Sequence, residues 1–437
     1  MTPTDKSQSP LRLGIAGLGT VGIGVVKIID KKAALLEART GRKVVITAVS
    51  ARSKDKDRGV DLSAYAWESD PVALAKRDDI DVFVELMGGA DGPAKDATQA
   101  AIASGKDVVT ANKAMLALHG QELAEAAEAR DLVIRFEAAV AGGIPVVKSL
   151  TEGLAGNEIK RVMGVMNGTC NYILTRMEET RQPYGVLFDE CAKLGYLEAD
   201  PTLDVGGIDA GHKLALLAAI AYGTQVDFDA ITIEGIQDIT LDDIEQASEL
   251  GYKIKLLGVA QMSARGLEQR MTPCLVPATS PLGQLAGGTN MVVLEGDDVG
   301  QIVLRGAGAG EGPTASAVLS DICDIARGIR MATFGQNASA LVAAKPAIAA
   351  IPAPYYLRLE LEDKPGALAK VAFALGDAGV SIDQMRQYGN DDQYPDTSPV
   401  VIVTDACMRS SLDLAIEAAR KTGVLASDPV AIRIEEV

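Results

Sequence analysis

Histidine is almost absent from this chain, which carries only His119 and His212 in 437 residues. Any proton transfer it performs is therefore expected to use lysine and carboxylates rather than the commoner imidazole. Aromatic residues are scarce too, at 4%, and the five cysteines (Cys170, Cys191, Cys274, Cys323 and Cys407) are an odd number set far apart. That spacing fits neither a disulfide framework nor a zinc site, and it reads as reduced thiols in a cytoplasmic protein. No apolar run is long enough to span a bilayer. The opening residues, Met1 to Pro10, are polar and lack a signal-peptide core. Positive charge is in deficit, with 42 basic against 59 acidic residues and a formal net charge of −17. Such a surface repels nucleic acid and anionic membranes, and neither is expected as a partner.

What the chain does hold is alanine, valine, leucine and glycine, a composition suited to helices packed closely on a parallel sheet. With 48% apolar and 23% charged residues it is globular, and its length calls for two or three domains. Residues 11–136 alternate short apolar runs with helical stretches, the βαβ rhythm of a doubly wound parallel sheet. Strands are predicted at 11–16, 44–49, 82–86, 108–110 and 132–136, with a helix at 117–130. From about 146 to 350 longer helices (170–181, 184–195, 206–223, 314–328) mix with strands such as 159–166 and 292–295, an α+β pattern. Pro346, Pro352 and Pro354 then punctuate an alanine-rich segment that suits a domain boundary. Residues 355–437 read strand, helix, strand, strand, helix, strand, a ferredoxin-like order expected to form a compact unit of its own. The domains predicted are thus 1–145, 146–345 and 355–437.

Gly17-Leu18-Gly19-Thr20-Val21-Gly22 is a G-x-G-x-x-G directly after a predicted strand and at the start of a helix. Its glycines permit a tight turn and close approach of a pyrophosphate, and the helix start offers unpaired N–H groups. This is the fingerprint of a Rossmann-type nicotinamide dinucleotide site, with Gly17, Gly19, Thr20, Val21 and Gly22 as cofactor contacts. A structural glycine turn is the plainer alternative. The second strand ends in Val49-Ser50-Ala51-Arg52-Ser53, where an acidic residue would favour NAD. Arg52 instead leans toward NADP, with NAD the alternative cofactor and a solvated surface arginine the bland reading.

Asp209 and Lys213 lie four apart at the start of a long apolar helix, so both project from one face. They follow a carboxylate cluster of Glu198, Asp200 and Asp204. A substrate ammonium needs such acids, and a reacting hydroxyl needs a nearby lysine, although spacing alone describes an ordinary surface ion pair more readily. The stretch Gly195-Tyr196-Leu197-Glu198-Ala199-Asp200-Pro201, followed by Asp204, Gly207, Asp209 and Lys213, closely resembles the signature of homoserine dehydrogenases. Val109-Thr110-Ala111-Asn112-Lys113, Asn167-Gly168-Thr169-Cys170-Asn171-Tyr172 and Gly306-Ala307-Gly308-Ala309-Gly310 resemble three further family segments. The resemblance covers about residues 11–345, and at the positions that matter it departs only at Cys170, where a second threonine is frequent.

The resemblance implies interconversion of L-homoserine and L-aspartate 4-semialdehyde with NAD(P)(H), in the biosynthesis of threonine, methionine and isoleucine. It implies Lys213 as proton donor to the aldehyde oxygen, Lys113 near the nicotinamide, and Asp209 orienting both lysines. Glu198, with Asp204 and Gly195, would bind the substrate, and Gly310 would join the cofactor contacts. Glu137-Ala138-Ala139-Val140-Ala141-Gly142-Gly143-Ile144-Pro145 resembles the family loop that holds a structural Na+ through carbonyls, here those of Glu137, Val140, Gly142 and Ile144; a plain Gly-Pro turn fits as well. Leu361-Glu362-Asp363-Lys364-Pro365-Gly366-Ala367-Leu368 resembles the opening of an ACT domain, for which L-threonine is the implied effector, with a purely dimerising role as the alternative. A homodimer or homotetramer is the implied assembly. Two rival readings are an amino-acid dehydrogenase of another specificity and a catalytically silent cofactor sensor; the presence of Lys113, Glu198, Asp209 and Lys213 speaks against the second.

Overall fold

Short strands, mostly apolar and, except at the edge strand β3, mostly buried, form the first sheet of the computed structural model, which describes residues 9–194, 201–388 and 396–437. They are β1 (Leu11–Ala16), β2 (Val44–Ser50), β3 (Ala66–Glu68), β4 (Val82–Glu85), β5 (Asp107–Thr110) and β6 (Ile134–Arg135). All pair in parallel, in the order β3-β2-β1-β4-β5-β6. The order reverses beside β1, and in such a sheet ligands bind at that switch point, beyond the strand C-termini. Helices α1 (Thr20–Thr40), α2 (Pro71–Ala75), α3 (Pro93–Ala103) and α4 (Lys113–Glu128) provide the crossovers.

The middle of the chain contributes a single turn α5 (Val146–Lys148), then β7 (Ile159–Val165), α6 (Gly168–Thr180), α7 (Tyr184–Leu194), α8 (Pro201–Val205) and α9 (Ile208–Tyr222). A two-residue strand β8 (Thr232–Ile233) and α10 (Leu241–Glu249) precede a long hairpin, β9 (Tyr252–Ser263) and β10 (Gly266–Pro277). Next come β11 (Thr289–Gly296), β12 (Gly300–Ala307) and α11 (Glu311–Arg327). That last helix returns to the first domain. Ala315, Val318 and Ile322 of α11 share a core with Val25 and Val26 of α1, and a Cβ at Gly24 would stand 3.0 Å from the Ala315 methyl.

The C-terminal unit has β13 (Tyr355–Glu362), α12 (Ala367–Asp377), β14 (Ile382–Gln387), β15 (Thr397–Thr404), α13 (Arg409–Lys421) and β16 (Val430–Ile434). Its strands do not form a separate sheet. β16 pairs in parallel with β10, so one continuous sheet runs β12-β11-β7-β9-β10-β16-β13-β15-β14. The alternation of each strand splits its residues between two cores. Tyr355, Leu357 and Leu359 pack with α12 and α13, whereas Tyr356, Val401, Val403, Ile432 and Ile434 join the core of the middle domain. Arg358 reaches the wholly buried Asp243 of α10 at 2.7 Å, and the Tyr356 hydroxyl donates to Gln246 at 2.7 Å.

The proline-bearing connection is likewise pinned. Leu267 N–H donates to the Lys345 carbonyl (2.8 Å), and Ala347 N–H donates to the Leu267 carbonyl (3.0 Å). Gly266 lets the chain approach there: at φ +118° a Cβ would come 2.5 Å from the Lys345 oxygen. Among the described residues no helix is long and apolar enough to cross a membrane.

Candidate active site

The glycine-rich turn connects β1 to α1. At Gly17 the φ of +100° suits glycine, and an added Cβ would lie 2.3 Å from the Leu86 carbonyl oxygen. A Cβ at Gly22 would lie 2.0 Å from the Gly17 oxygen, so these two glycines are required by the fold itself. Gly19 is different. It precedes Thr20 and Val21 as the N-cap at φ −78°, and a Cβ there would meet nothing within 4 Å. The open space above it, at a helix N-terminus, fits a pyrophosphate. We expect Gly19→Ala to melt as the parent does while its NADPH dissociation constant rises at least tenfold; unchanged binding would place the pyrophosphate elsewhere.

Arg52 lies exposed just beyond β2. A basic residue not singled out from sequence, Arg58, reaches the turn: its Nε donates to the Leu18 carbonyl (3.3 Å) and its guanidinium lies 5.7 Å from the centre of the Trp67 ring. That tryptophan is the only one in the chain.

At the other side of the switch point Glu85, wholly buried at the end of β4, holds the following loop. Its carboxylate accepts the N–H groups of Met87 (2.7 Å) and Gly88 (3.1 Å) and the Thr110 hydroxyl (2.6 Å). Thr110 Oγ1 accepts the Asn112 N–H (3.0 Å). The Asn112 side chain caps α4 at Met115 N–H (3.1 Å) and donates to the Gly89 carbonyl (2.7 Å). Lys113 is the next residue, so this chain of bonds fixes where its side chain departs.

Lys113 crosses from the first domain to α9 of the second. Its Nζ lies 2.6 Å from Asp209 Oδ1, while Lys213 Nζ lies 2.6 Å from Asp209 Oδ2. Lys213 also donates to the Met166 carbonyl at 2.9 Å. Asp209 and Lys213 are buried, and the Lys113 side chain keeps 28% of its exposure. Burial alone would push the Asp209 carboxyl up, but the ammonium groups of Lys213 and Lys113 outweigh it and hold the carboxyl well below the usual range. One carboxylate thus gathers two lysines that are 100 positions apart.

Asp204, on α8, is buried beside them, with its carboxylate 3.3 Å from Asn167 Nδ2. The Cys170 thiol donates to the Asp204 carbonyl at 3.3 Å, so cysteine serves here as a weak donor in place of threonine. Gly195 and Glu198 lie outside the described residues. His212 stacks on Phe228 at 4.3 Å, and burial lowers its pKa. His119 bridges Asp91 and Lys95. Among the described residues neither imidazole is hydrogen-bonded to Lys213, although the charges of Asp209, Lys113 and Lys213 reach His212.

The loop 137–144 and the late glycine-rich loop meet each other. Gly143 N–H donates to the Ala307 carbonyl (3.0 Å), and a Cβ at Gly142 would lie 2.3 Å from the Gly308 oxygen. Gly310, at φ +120°, is the N-cap of α11. Asn290, which sequence reasoning overlooked, packs against Gly308, buried and with Oδ1 unpartnered among the described residues. The Glu137 side chain caps α5 by accepting Val147 N–H (3.0 Å) and Lys148 N–H (2.9 Å), and burial raises its pKa to about 7. Its backbone carbonyl, like that of Ile144, carries one turn bond, which leaves each a second lone pair for a cation.

Family models agree with this layout. That described as homoserine dehydrogenase matches residues 145–323, its NAD binding domain matches residues 17–137, and that of the ACT domain matches residues 355–423. A homoserine dehydrogenase of Neisseria gonorrhoeae is 41% identical over 98% of this chain and 100% of its own length. The crystal structure of a homoserine dehydrogenase from Thiobacillus denitrificans superimposes with a TM-score of 0.92 at 37% identity, covering 98% of this chain and 99% of that one. A hyperthermophilic archaeal homoserine dehydrogenase mutant in complex with NADPH aligns with a TM-score of 0.61 at 26% identity, covering 72% and 97%.

Proposed function

The chain belongs to the homoserine dehydrogenase family, and on that premise we propose that it interconverts L-homoserine and L-aspartate 4-semialdehyde with NADP(H), using Lys213 as the proton carrier. The observation that carries this reading is the Lys113–Asp209–Lys213 bridge at the C-terminal edge of the nucleotide-binding sheet. A bound nicotinamide supplies the hydride in the reducing direction. Negative charge then grows on the aldehyde oxygen, and a lysine ammonium both stabilises it and gives it a proton. An ammonium has three donors. Asp209 and the Met166 carbonyl hold two of those of Lys213, which leaves the third for the reacting oxygen. In the oxidising direction the same nitrogen, once neutral, takes the hydroxyl proton. Lys113 adds positive charge from the cofactor side, and Asp209 keeps both lysines in place. Asp204, with Glu198 and Gly195, would receive the substrate ammonium.

Arg52, with Arg58 near it in sequence and Lys54 between them, supports the 2′-phosphate of NADP over NAD. The carbonyls of Glu137, Val140, Gly142 and Ile144 would hold a monovalent cation in a structural role, bracing the loop against residues 306–310. L-threonine would act as effector at the start of α12, where Asp363, Lys364, Pro365 and Gly366 border an open cavity with Met385 and Gln387 from the edge strand β14. Pairing of two such edges would give a dimer or tetramer. These assignments would place the enzyme in threonine, methionine and isoleucine biosynthesis.

The test is NADPH oxidation with L-aspartate 4-semialdehyde, repeated with NADH and with added L-threonine. Turnover faster with NADPH, and inhibition that Asp363→Ala weakens at least tenfold, are expected. No turnover with either cofactor would reject the reading.

A further inference from the structure

Lys255, on β9, is a buried lysine that the proton transfer described above does not use. It is 4% exposed, and among the described residues no carboxylate lies within ion-pairing distance of it. Its neighbour Glu178, on α6, pairs with Lys253 instead. Burial pushes the Lys255 pKa down to about 8, with the charge of Glu178 opposing the shift and that of Lys253 assisting it. An ammonium so placed costs free energy that a methionine of similar size would not. What it offers that methionine cannot is a set of N–H donors.

Those donors end on two different elements. Lys255 Nζ donates to Asn171 Oδ1 on α6 (3.0 Å) and to the Leu285 carbonyl (2.5 Å) in the loop between β10 and β11. The same helix and loop are joined twice more. Asn171 Nδ2 donates to the Gly287 carbonyl (2.7 Å), and Gly287 N–H donates to Thr175 Oγ1 (3.2 Å). Lys255 thus completes a clamp between α6 and residues 285–288. The clamped loop packs on the start of α6, where a Cβ at Gly168 would lie 2.6 Å from the Gly288 carbonyl oxygen. That turn reaches the site directly. The Met166 carbonyl accepts from Lys213 (2.9 Å), and Asn167 Nδ2 lies 3.3 Å from the Asp204 carboxylate.

We propose, on the reading of Lys213 as proton carrier and Asp204 as substrate contact, that Lys255 is a positioning residue for the reaction. It holds loop 285–288 against α6, so that the turn 166–168 keeps Lys213 and Asp204 in place. A misplacement of about 1 Å caused far from the chemistry can cost on the order of a hundredfold. The glycine-rich turn after β1 belongs to the other sheet, so coenzyme binding should not feel the clamp.

Lys255→Met is expected to raise KM for L-aspartate 4-semialdehyde at least tenfold, while the NADPH dissociation constant, measured by fluorescence titration, stays within twofold. Thr175→Val removes an outer bond of the clamp. It should raise the same KM at least threefold, and it decides the matter if Lys255→Met does not fold. Lys253→Met removes a charge from the same strand but no bond of the clamp, and it should leave both constants unchanged. Variants that melt at lower temperature yet keep the parental substrate KM overturn the proposal, because a merely structural lysine predicts that result. An equal rise of KM in Lys253→Met, or a parallel loss of NADPH affinity in Lys255→Met, overturns it as well. No turnover by the parent overturns it together with the reading beneath it, whereas parental turnover with KM unchanged in both clamp variants overturns the proposal alone.

Discussion

Replacing Lys213 with alanine is expected to lower kcat by about a thousandfold or more while NADPH still binds. General acid catalysis by a positioned side chain contributes on the order of 10²–10⁴ in rate, and stabilisation of the developing charge adds to it. Lys213 combines both roles, because its ammonium is buried and held at two points, Asp209 and the Met166 carbonyl. Lys113 retains Asp209 as its partner when Lys213 is removed, and the nucleotide-binding turn lies on a separate element, so cofactor affinity should survive. Lys213→Met, which keeps most of the volume, separates lost chemistry from lost packing. Single-turnover measurement with aspartate semialdehyde reads the effect directly. A rate within tenfold of the parent in both variants would remove Lys213 as the proton carrier and leave Lys113 as the candidate.

The second large effect concerns the tail. A chain ending at residue 349 is expected to lose solubility and activity together, rather than become an enzyme merely released from regulation. Truncation removes β16 from the edge of β10 and strips Tyr356, Val401, Val403, Ile432 and Ile434 from the core they share with the middle domain. Burial of a large apolar side chain contributes roughly 1.5–3 kcal/mol. Five of them amount to about 10 kcal/mol, comparable to the whole stability of an ordinary domain at roughly 5–15 kcal/mol. Arg270 would also lose its Glu435 partner inside the protein, and breaking a buried pair costs about 3–5 kcal/mol. Expression yield, circular dichroism and thermal melting of the truncated and full chains measure this. A soluble truncated protein with parental melting and kcat within twofold would show that the shared core contributes little. The effector question is therefore better asked with point changes near Asp363 than by deletion.

Sequence periodicity exposed the first domain well, because its strands are short apolar runs separated by clear helical stretches. The β9–β10 hairpin escaped it for a physical reason. Its residues are buried on both faces for most of their length, so no alternation marks them, and Pro273 and Pro277 interrupt the second strand. The proline-rich connection read as a loose boundary because its composition resists regular structure; only the bonds to Leu267 reveal that it is fastened. In the site, Asp209 and Lys213 declared themselves by helical spacing, but nothing local tied Lys113 to them. Glu85 was hidden inside the apolar run 82–86, since its partners are backbone N–H groups of a turn that forms only in the folded chain. Asn290 was equally silent, a lone amide in a strand.

Trp67 gives the molecule an optical handle. As the sole indole of the chain, it lies under the Arg58 guanidinium, which itself is bonded to the glycine-rich turn. Reduced nicotinamide absorbs where indole emits, so energy transfer from this ring gives a direct spectroscopic signal of coenzyme docking. No other tryptophan contributes background, and occupancy of the first domain can be followed by fluorescence without a label, independently of events in the distant tail.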